Sequence, residues 1–274
     1  PSRRRNELRI QDPSPVQLEI VLADQIYLAK QDLPPPLRNR LVRLAAFQNP
    51  EFYRAQAMRL PTYDKPRVIG CAEDCAHHIG LPRGCLEEVN GMLKELGIRS
   101  VVRDERFYGH PLAVRFQGEL RAEQQAAAQA LLAHDTGVLS ATTAFGKTVI
   151  AAWLIAQRGV NTLVLVHRQQ LLEQWVDRLA TFLGLSTKDI GRLGGGRKKL
   201  NAALDVALMQ SLVRKGVVDD RVADYGHLVV DECHHLPAFS FERVLAEAKA
   251  RYVVGLTATP QRRDGHHPIT EMHL

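Results

Sequence analysis

Gly146-Lys147-Thr148 ends a run of small and polar residues, Ser140-Ala141-Thr142-Thr143-Ala144-Phe145. The apolar stretch Val138-Leu139 leads into it and a helical run, Val149 to Gln157, leads out. Strand, small-residue loop, Gly-Lys-Thr and helix is an arrangement that holds a triphosphate. The loop amides face the phosphates and the helix N-terminus adds positive potential. In such a loop Lys147 reaches the outer phosphates and the Thr148 hydroxyl takes a place on Mg²⁺. Ala141 stands where the full phosphate-loop pattern carries its first Gly, so the match is partial, although Ala is small enough for backbone to approach phosphate. Further on, Asp231-Glu232 follows the apolar run Leu228-Val229-Val230. An aspartate there holds the metal, usually through water, and an adjacent carboxylate polarises the attacking water as general base. Asp231 and Glu232 take those roles in that order. A third polar cluster, Thr257-Ala258-Thr259, follows the apolar run Tyr252 to Leu256.

These groups need elements to bring them together. From Phe116 the chain alternates strands and helices: a helix over Gln125 to Ala133, the unbroken apolar strand Thr162 to Val166, a helix over Gln169 to Phe182, a strand over Asp205 to Met209, a helix starting at Gln210, the strand Leu228 to Val230, a helix over Phe241 to Ala250 and the strand Tyr252 to Leu256. That alternation predicts an α/β fold, a parallel doubly wound sheet with helices on both faces and right-handed crossovers. Ligands of such sheets sit at the carboxyl ends of the strands, where all three polar clusters fall. A Gly-rich basic loop, Gly194-Gly195-Gly196-Arg197-Lys198-Lys199, lies between, and its charges are candidates for phosphate contact.

Upstream the pattern differs. Leu18, Val21, Leu22 and Ile26 fall near helical spacing and predict a helix over Val16 to Lys30, broken by Leu33-Pro34-Pro35-Pro36. A second helix carries Leu37, Leu41, Leu44 and Ala45 on one face, and a third runs from Glu51 to Leu60. After Pro61 come short strands at Arg67 to Cys71 and His78 to Leu81, a helix from Leu86 to Leu96 capped by Gly97, and a strand from Ile98 to Val102. The expected organisation is a helical segment over 1–65, a small α/β unit over 66–112 and an α/β domain over 113–274.

The chain has 274 residues, enough for about two domains. Its net charge of +6 and pI near 9.3 suit an anionic partner such as nucleic acid. No apolar run approaches the ~18 residues of a membrane helix. Pro1-Ser2-Arg3-Arg4-Arg5 has no apolar segment behind it, so it is not a signal peptide, and the missing initial Met points to a piece of a longer chain. Four cysteines give no disulfide framework, which indicates a cytoplasmic protein. Cys71, Cys75, His77, His78 and Cys85 lack the two tight pairs that structural zinc sites show.

Gly-Lys-Thr, then Asp-Glu-x-His, then Thr-Ala-Thr resembles the first RecA-like motor domain of superfamily 2 helicases, most closely the Rad25/xeroderma-pigmentosum-B and restriction-type (ResIII) branch. The likeness covers Gly118 to about Gly265. It implies an ATP hydrolase coupled to movement on DNA, with ATP bound by Arg121, Gln124, Ala141, Thr142, Thr143, Ala144, Phe145, Gly146, Lys147 and Thr148. Gln124 reads the adenine with Arg121 nearby. Lys147, Asp231 and Glu232 are the implied catalytic residues, with Thr148 and Asp231 on Mg²⁺. His167, Arg168, Gln210 and Ser211 contact the nucleic-acid backbone, and His234, Thr257 and Thr259 couple nucleotide state to strand movement. Gly80-Leu81-Pro82-Arg83-Gly84, a helix, then Asp104-Glu105-Arg106 is similar to a small DNA-binding unit ahead of some of these motors, with Arg83 and Lys94 as candidate phosphate contacts. Such motors need a second RecA-like domain whose arginine fingers are worth ~10³–10⁵ in rate. The expectation is an N-terminal helicase portion that binds ATP–Mg²⁺ weakly and hydrolyses it poorly alone. A nucleotide-gated DNA-binding module without turnover, or the motor part of a restriction or defence nuclease, are the alternatives.

Overall fold

The computed structural model describes residues 15–232, 238–258 and 272. His234, Thr259 and the segment 260–265 lie outside them, as do the side chains of Thr143, Arg197 and Lys198. The chain divides into two compact units between Glu105 and Arg106.

In the first unit, β1 (Gln17–Leu22), β2 (Ile26–Ala29), α1 (Pro35–Leu44), β3 (Ala46–Gln48), α2 (Pro50–Ala57), β4 (Val68–Gly70), β5 (Glu73–Asp74), β6 (His78–Leu81), α3 (Leu86–Glu95) and β7 (Arg99–Asp104) follow in order. Five strands form one sheet in the order β5-β6-β2-β1-β7, with β1 and β7 parallel. The helix expected over Val16 to Lys30 is therefore two strands, and 16–65 is not a helical segment. Leu18, Ile20 and Leu22 alternate with the more exposed Gln17, Glu19 and Val21, a period of two that the strand pairing selects over the helical spacing of Leu18, Val21 and Leu22. Ile26, Leu28, Ile79 and Leu81 extend the buried side of the sheet, and Leu37, Leu41, Val89 and Leu93 of the helices are buried too. Asn49 caps α2 by accepting from the Glu51 amide at 3.0 Å, and Pro50 occupies the first helical turn, where its missing N–H costs nothing. Arg83 is buried rather than on the surface, whereas Lys94 is exposed. Among the described residues, no group of three His, Cys, Asp or Glu side chains is placed to hold a metal.

The second unit contains α4 (Ala122–Leu132), β8 (Thr136–Ser140), α5 (Lys147–Arg158), β9 (Thr162–Val166), α6 (Gln169–Leu183), β10 (Gly191–Gly194), β11 (Arg197–Lys199), β12 (Leu204–Leu208), α7 (Met209–Leu212), β13 (Val213–Arg214), β14 (Val217–Val218), β15 (His227–Asp231), α8 (Ala238–Ala246) and β16 (Tyr252–Thr257). Seven strands pair in the order β11-β10-β12-β9-β15-β16-β8. Six are parallel, and β11 returns antiparallel on β10. This is the expected RecA-like parallel sheet. One difference is that Arg197–Lys199 forms the second strand of a hairpin rather than a loop. β9 and β15 are buried at every position, because both faces are covered. Val164, Val166, Val229 and Val254 pack with Ile150, Leu154, Leu172, Trp175 and Leu179 of α5 and α6. The alternate residues Leu163, Leu165, Leu228, Val230 and Val253 are equally buried, as are Phe241, Val244 and Leu245 of α8.

Two buried polar groups fix the amino-terminal rim of this sheet. Asn161, 1% exposed, donates to the Ala202 and Asp224 carbonyls at 3.0 and 2.7 Å and accepts from the His110 and Gly226 amides at 2.9 and 3.1 Å. His227 is fully buried, with Nε2 2.8 Å from the Arg158 guanidinium and Nδ1 3.4 Å from the Thr162 hydroxyl. The guanidinium can only donate, so Nε2 accepts and the ring carries its proton on Nδ1. Burial first, and Arg158 second, hold its pKa well below the usual histidine range.

Candidate nucleotide site and the adjoining rim

Gly146 ends the loop after β8 with φ at 88°, a left-handed conformation that a side chain disfavours. A Cβ there would stand 2.5 Å from the Gln124 amide nitrogen. That nitrogen donates to the Phe145 carbonyl at 2.7 Å, while the Gln124 oxygen accepts from the Arg121 amide at 3.0 Å. The Arg121 guanidinium donates to the same Phe145 carbonyl at 2.9 Å. Gln124 and Arg121, expected at the adenine, thus grip the loop in this structure. Thr143–Phe145 forms a single 3₁₀ turn, and Lys147 opens α5 directly after Gly146.

The Lys147 side chain is nearly buried and runs back under the loop. Its Nζ donates to the Ala141 carbonyl at 2.9 Å and lies 3.8 Å from Glu232 Oε1. Asp231 is the last residue of β15. Its Oδ2 accepts from the Trp175 indole N–H at 2.7 Å. Burial raises the Asp231 carboxyl above the usual aspartate range and neighbouring Glu232 adds to this, whereas the Trp175 N–H donating to the carboxylate and the Lys147 ammonium oppose it. Glu232 turns the chain off the strand with φ at 49°. The left-handed region costs a non-glycine residue roughly 1–2 kcal/mol.

A cavity of about 630 Å³ opens between these groups. Gly146, Lys147 and Thr148 line it from the loop and α5, Asp231 and Glu232 from the end of β15, and Gln174, Trp175, Asp177 and Arg178 from α6. The buried Lys147 ammonium, the Thr148 hydroxyl and the adjacent Asp231 and Glu232 carboxylates, lining one cavity, can take a phosphate chain and a hard cation. The Thr148 hydroxyl and Asp231 carboxylate are the oxygen donors that Mg²⁺ prefers. Thr257, 2% exposed, ends β16, and its carbonyl accepts from the Ala141 amide at 3.0 Å. The third polar cluster is thereby tied to the start of the loop.

The remaining candidates adjoin one another on the same rim. Val166 and Leu208 pair in register at the ends of β9 and β12, so His167-Arg168 and Gln210-Ser211 leave neighbouring strands. The Gln210 side-chain amide donates to the His167 carbonyl at 3.1 Å. Gly195, φ at 57°, turns the β10–β11 hairpin beside the Gln169 side chain, which puts the basic hairpin next to the same segment. Sequence reasoning missed the α6 wall of the cavity and Trp175 in particular. A tryptophan on the apolar stripe of an amphipathic helix reads as core, and nothing in the spacing announces a partner so distant in the chain.

Residues 117–262 match the family profile described as type III restriction enzyme, res subunit. Among curated proteins the chain is similar to a putative DNA 3'-5' helicase Rad25 of Halobacterium salinarum, 36% identical over 60% of this chain and 27% of that protein. It is also similar to the DNA 3'-5' helicase XPB of Mycobacterium tuberculosis, 33% identical over 57% of this chain and 29% of that one. The chain thus spans less than a third of the length of these two relatives. Among solved structures, the UvsW helicase from bacteriophage T4 superposes with a TM-score of 0.70 over 94% of this chain and 97% of that one, at 16% identity. At that identity the likeness is one of fold.

Proposed function

Because the chain belongs to the type III restriction enzyme, res subunit family, we propose that it is the nucleotide-binding motor portion of an ATP-dependent DNA helicase or translocase. The observation that carries this reading is the 3.8 Å approach of Lys147 Nζ to Glu232 Oε1 at a cavity also lined by Thr148 and Asp231. Lys147 would exchange its loop carbonyl for the outer phosphates of ATP. Thr148 and Asp231 would hold Mg²⁺, which when bound offsets charge on the phosphates. Glu232 would accept the proton of the attacking water. Gln124 and Arg121 would read the adenine, and their present grip on Phe145 would pass a change at the base to the phosphate loop. His234, Thr257 and Thr259 would couple nucleotide state to the strand, and the Thr257 bond to Ala141 supports that role for its position.

DNA is the proposed partner. The names of the relatives, the net charge of +6 and the shared rim of His167, Arg168, Gln210 and Ser211 support it. The chain covers under a third of those two relatives, so the proposal for these residues alone is nucleotide binding with slow turnover, and DNA-stimulated hydrolysis is assigned to the full-length protein. Calorimetry with ATP and Mg²⁺ tests the reading. Lys147→Ala should abolish binding, and unchanged affinity would sink the phosphate-loop assignment. Glu232→Gln in the full-length protein should keep ATP bound and stop turnover; surviving hydrolysis would remove Glu232 as the base. Strong DNA-stimulated ATPase by these residues alone would refute the assignment of turnover.

A further inference from the structure

Trp175 is 2% exposed on α6 and packs in the core with Leu172, Val176 and Leu179. Packing there asks only for apolar volume, which a phenylalanine or leucine would supply. The indole adds one thing, an N–H that can donate and cannot accept. Its partner is Asp231 Oδ2, 2.7 Å away, the carboxylate already suggested as a Mg²⁺ ligand. A hydrogen bond to an ionised acceptor in a buried setting is stronger and more directional than a neutral one. It also occupies one lone pair of the carboxylate. The indole thus holds the carboxylate from the protein side while Asp231 still lines the cavity.

We propose that Trp175 is a positioning residue for Asp231, fixing the carboxylate so that its remaining lone pairs face the cation side of the nucleotide cavity. The inference rests on the nucleotide reading above and assigns Trp175 no contact with substrate. Partners of this kind, one bond behind a metal ligand, orient it and tune its affinity, and their loss commonly costs 10–100-fold in metal binding.

The test is nucleotide binding by the chain, with Mg²⁺ titrated against a fixed concentration of ATP and with EDTA as the metal-free reference. Trp175→Phe keeps the ring and removes the N–H. It should leave affinity in EDTA within about twofold of the parent and raise the Mg²⁺ concentration for half-maximal enhancement about tenfold or more. Equal Mg²⁺ dependence in the two proteins would overturn the proposal, and so would an equal loss with and without Mg²⁺, which is what a purely structural role gives. Lys147→Ala separates the two levels of inference: it should lose binding under both conditions. Binding that survives in Lys147→Ala overturns the nucleotide reading and the proposal with it. A second measurement leaves the indole in place. The chain has two tryptophans, so Trp153→Phe makes Trp175 the sole tryptophan, read by excitation beyond the tyrosine band. Adding Mg²⁺ to the ATP-bound form of that protein should shift or quench its emission. Emission unchanged at saturating Mg²⁺ also overturns the proposal.

Discussion

Replacing Gly146 with alanine should damage the nucleotide loop for two separable reasons. The left-handed backbone at φ 88° costs a residue with a Cβ roughly 1–2 kcal/mol. The new methyl would also lie 2.5 Å from the Gln124 amide nitrogen, closer than any real contact, so the Gln124 side chain must leave. Its departure breaks the bonds to the Phe145 carbonyl at 2.7 Å and from the Arg121 amide at 3.0 Å. Each is worth about 0.5–1.5 kcal/mol net, so Gly146→Ala should destabilise the unit by about 2–5 kcal/mol in all. In a Gln124→Ala background the collision and both bonds are already gone, and Gly146→Ala should then cost only the backbone share of about 1–2 kcal/mol. Urea unfolding of the parent, both single variants and the double variant closes the cycle, with a coupling of about 1–3 kcal/mol expected. If Gly146→Ala costs the same in both backgrounds, the collision with Gln124 is not what makes glycine necessary, and the argument for the Gln124 grip on the loop fails.

Two further outcomes follow from the opposite rim. His227 has its pKa depressed below the unfolded value near 6.5, chiefly by burial. The unfolded chain therefore binds a proton that the folded chain refuses, so stability is constant above about pH 6.5 and falls below it, by up to about 1.4 kcal/mol per pH unit, until the folded pKa is reached. Urea midpoints between pH 7 and pH 5 should show this slope and His227→Gln should flatten it; an identical slope in that variant would rule His227 out as its source. Asn161→Ala should destabilise by about 2–6 kcal/mol, because it removes four hydrogen bonds worth about 0.5–1.5 kcal/mol each, and a cost under 1 kcal/mol in urea unfolding would deny Asn161 its role as hub.

The sheet that carries the cavity was legible because its central strands are buried on both faces. Thr162 to Val166 and Leu228 to Val230 are continuous apolar runs, and the polar residue after each run must stand on the carboxyl rim. That logic places Asp231 and Glu232 on the rim, and the Gly-Lys-Thr loop pattern adds Lys147 to it. The same reasoning fails at Gln17 to Ala29. Leu18, Val21, Leu22 and Ile26 fit a helix, while Leu18, Ile20 and Leu22 fit a strand, and only pairing with β6 and β7, remote in sequence, decides between them. Trp175 and Asp231 are likewise remote, and their bond exists only once α6 has packed onto the sheet. Arg83 was misjudged because a charge in a loop motif reads as surface, yet the chain folds it inward.

The first unit closes its sheet by laying its opening strand, residues 17–22, beside its final one, residues 99–104. No nascent chain can complete that sheet before residue 104 has cleared the ribosome, so Val101 and its neighbours are among the last groups to arrive and the first to be stranded by a premature stop. Shortening this unit from either end removes one half of the same ladder. Losing residues 99–104 strips an edge, whereas losing residues 17–22 removes a strand paired on both sides, so limited proteolysis should find the amino-terminal deletion the more damaging.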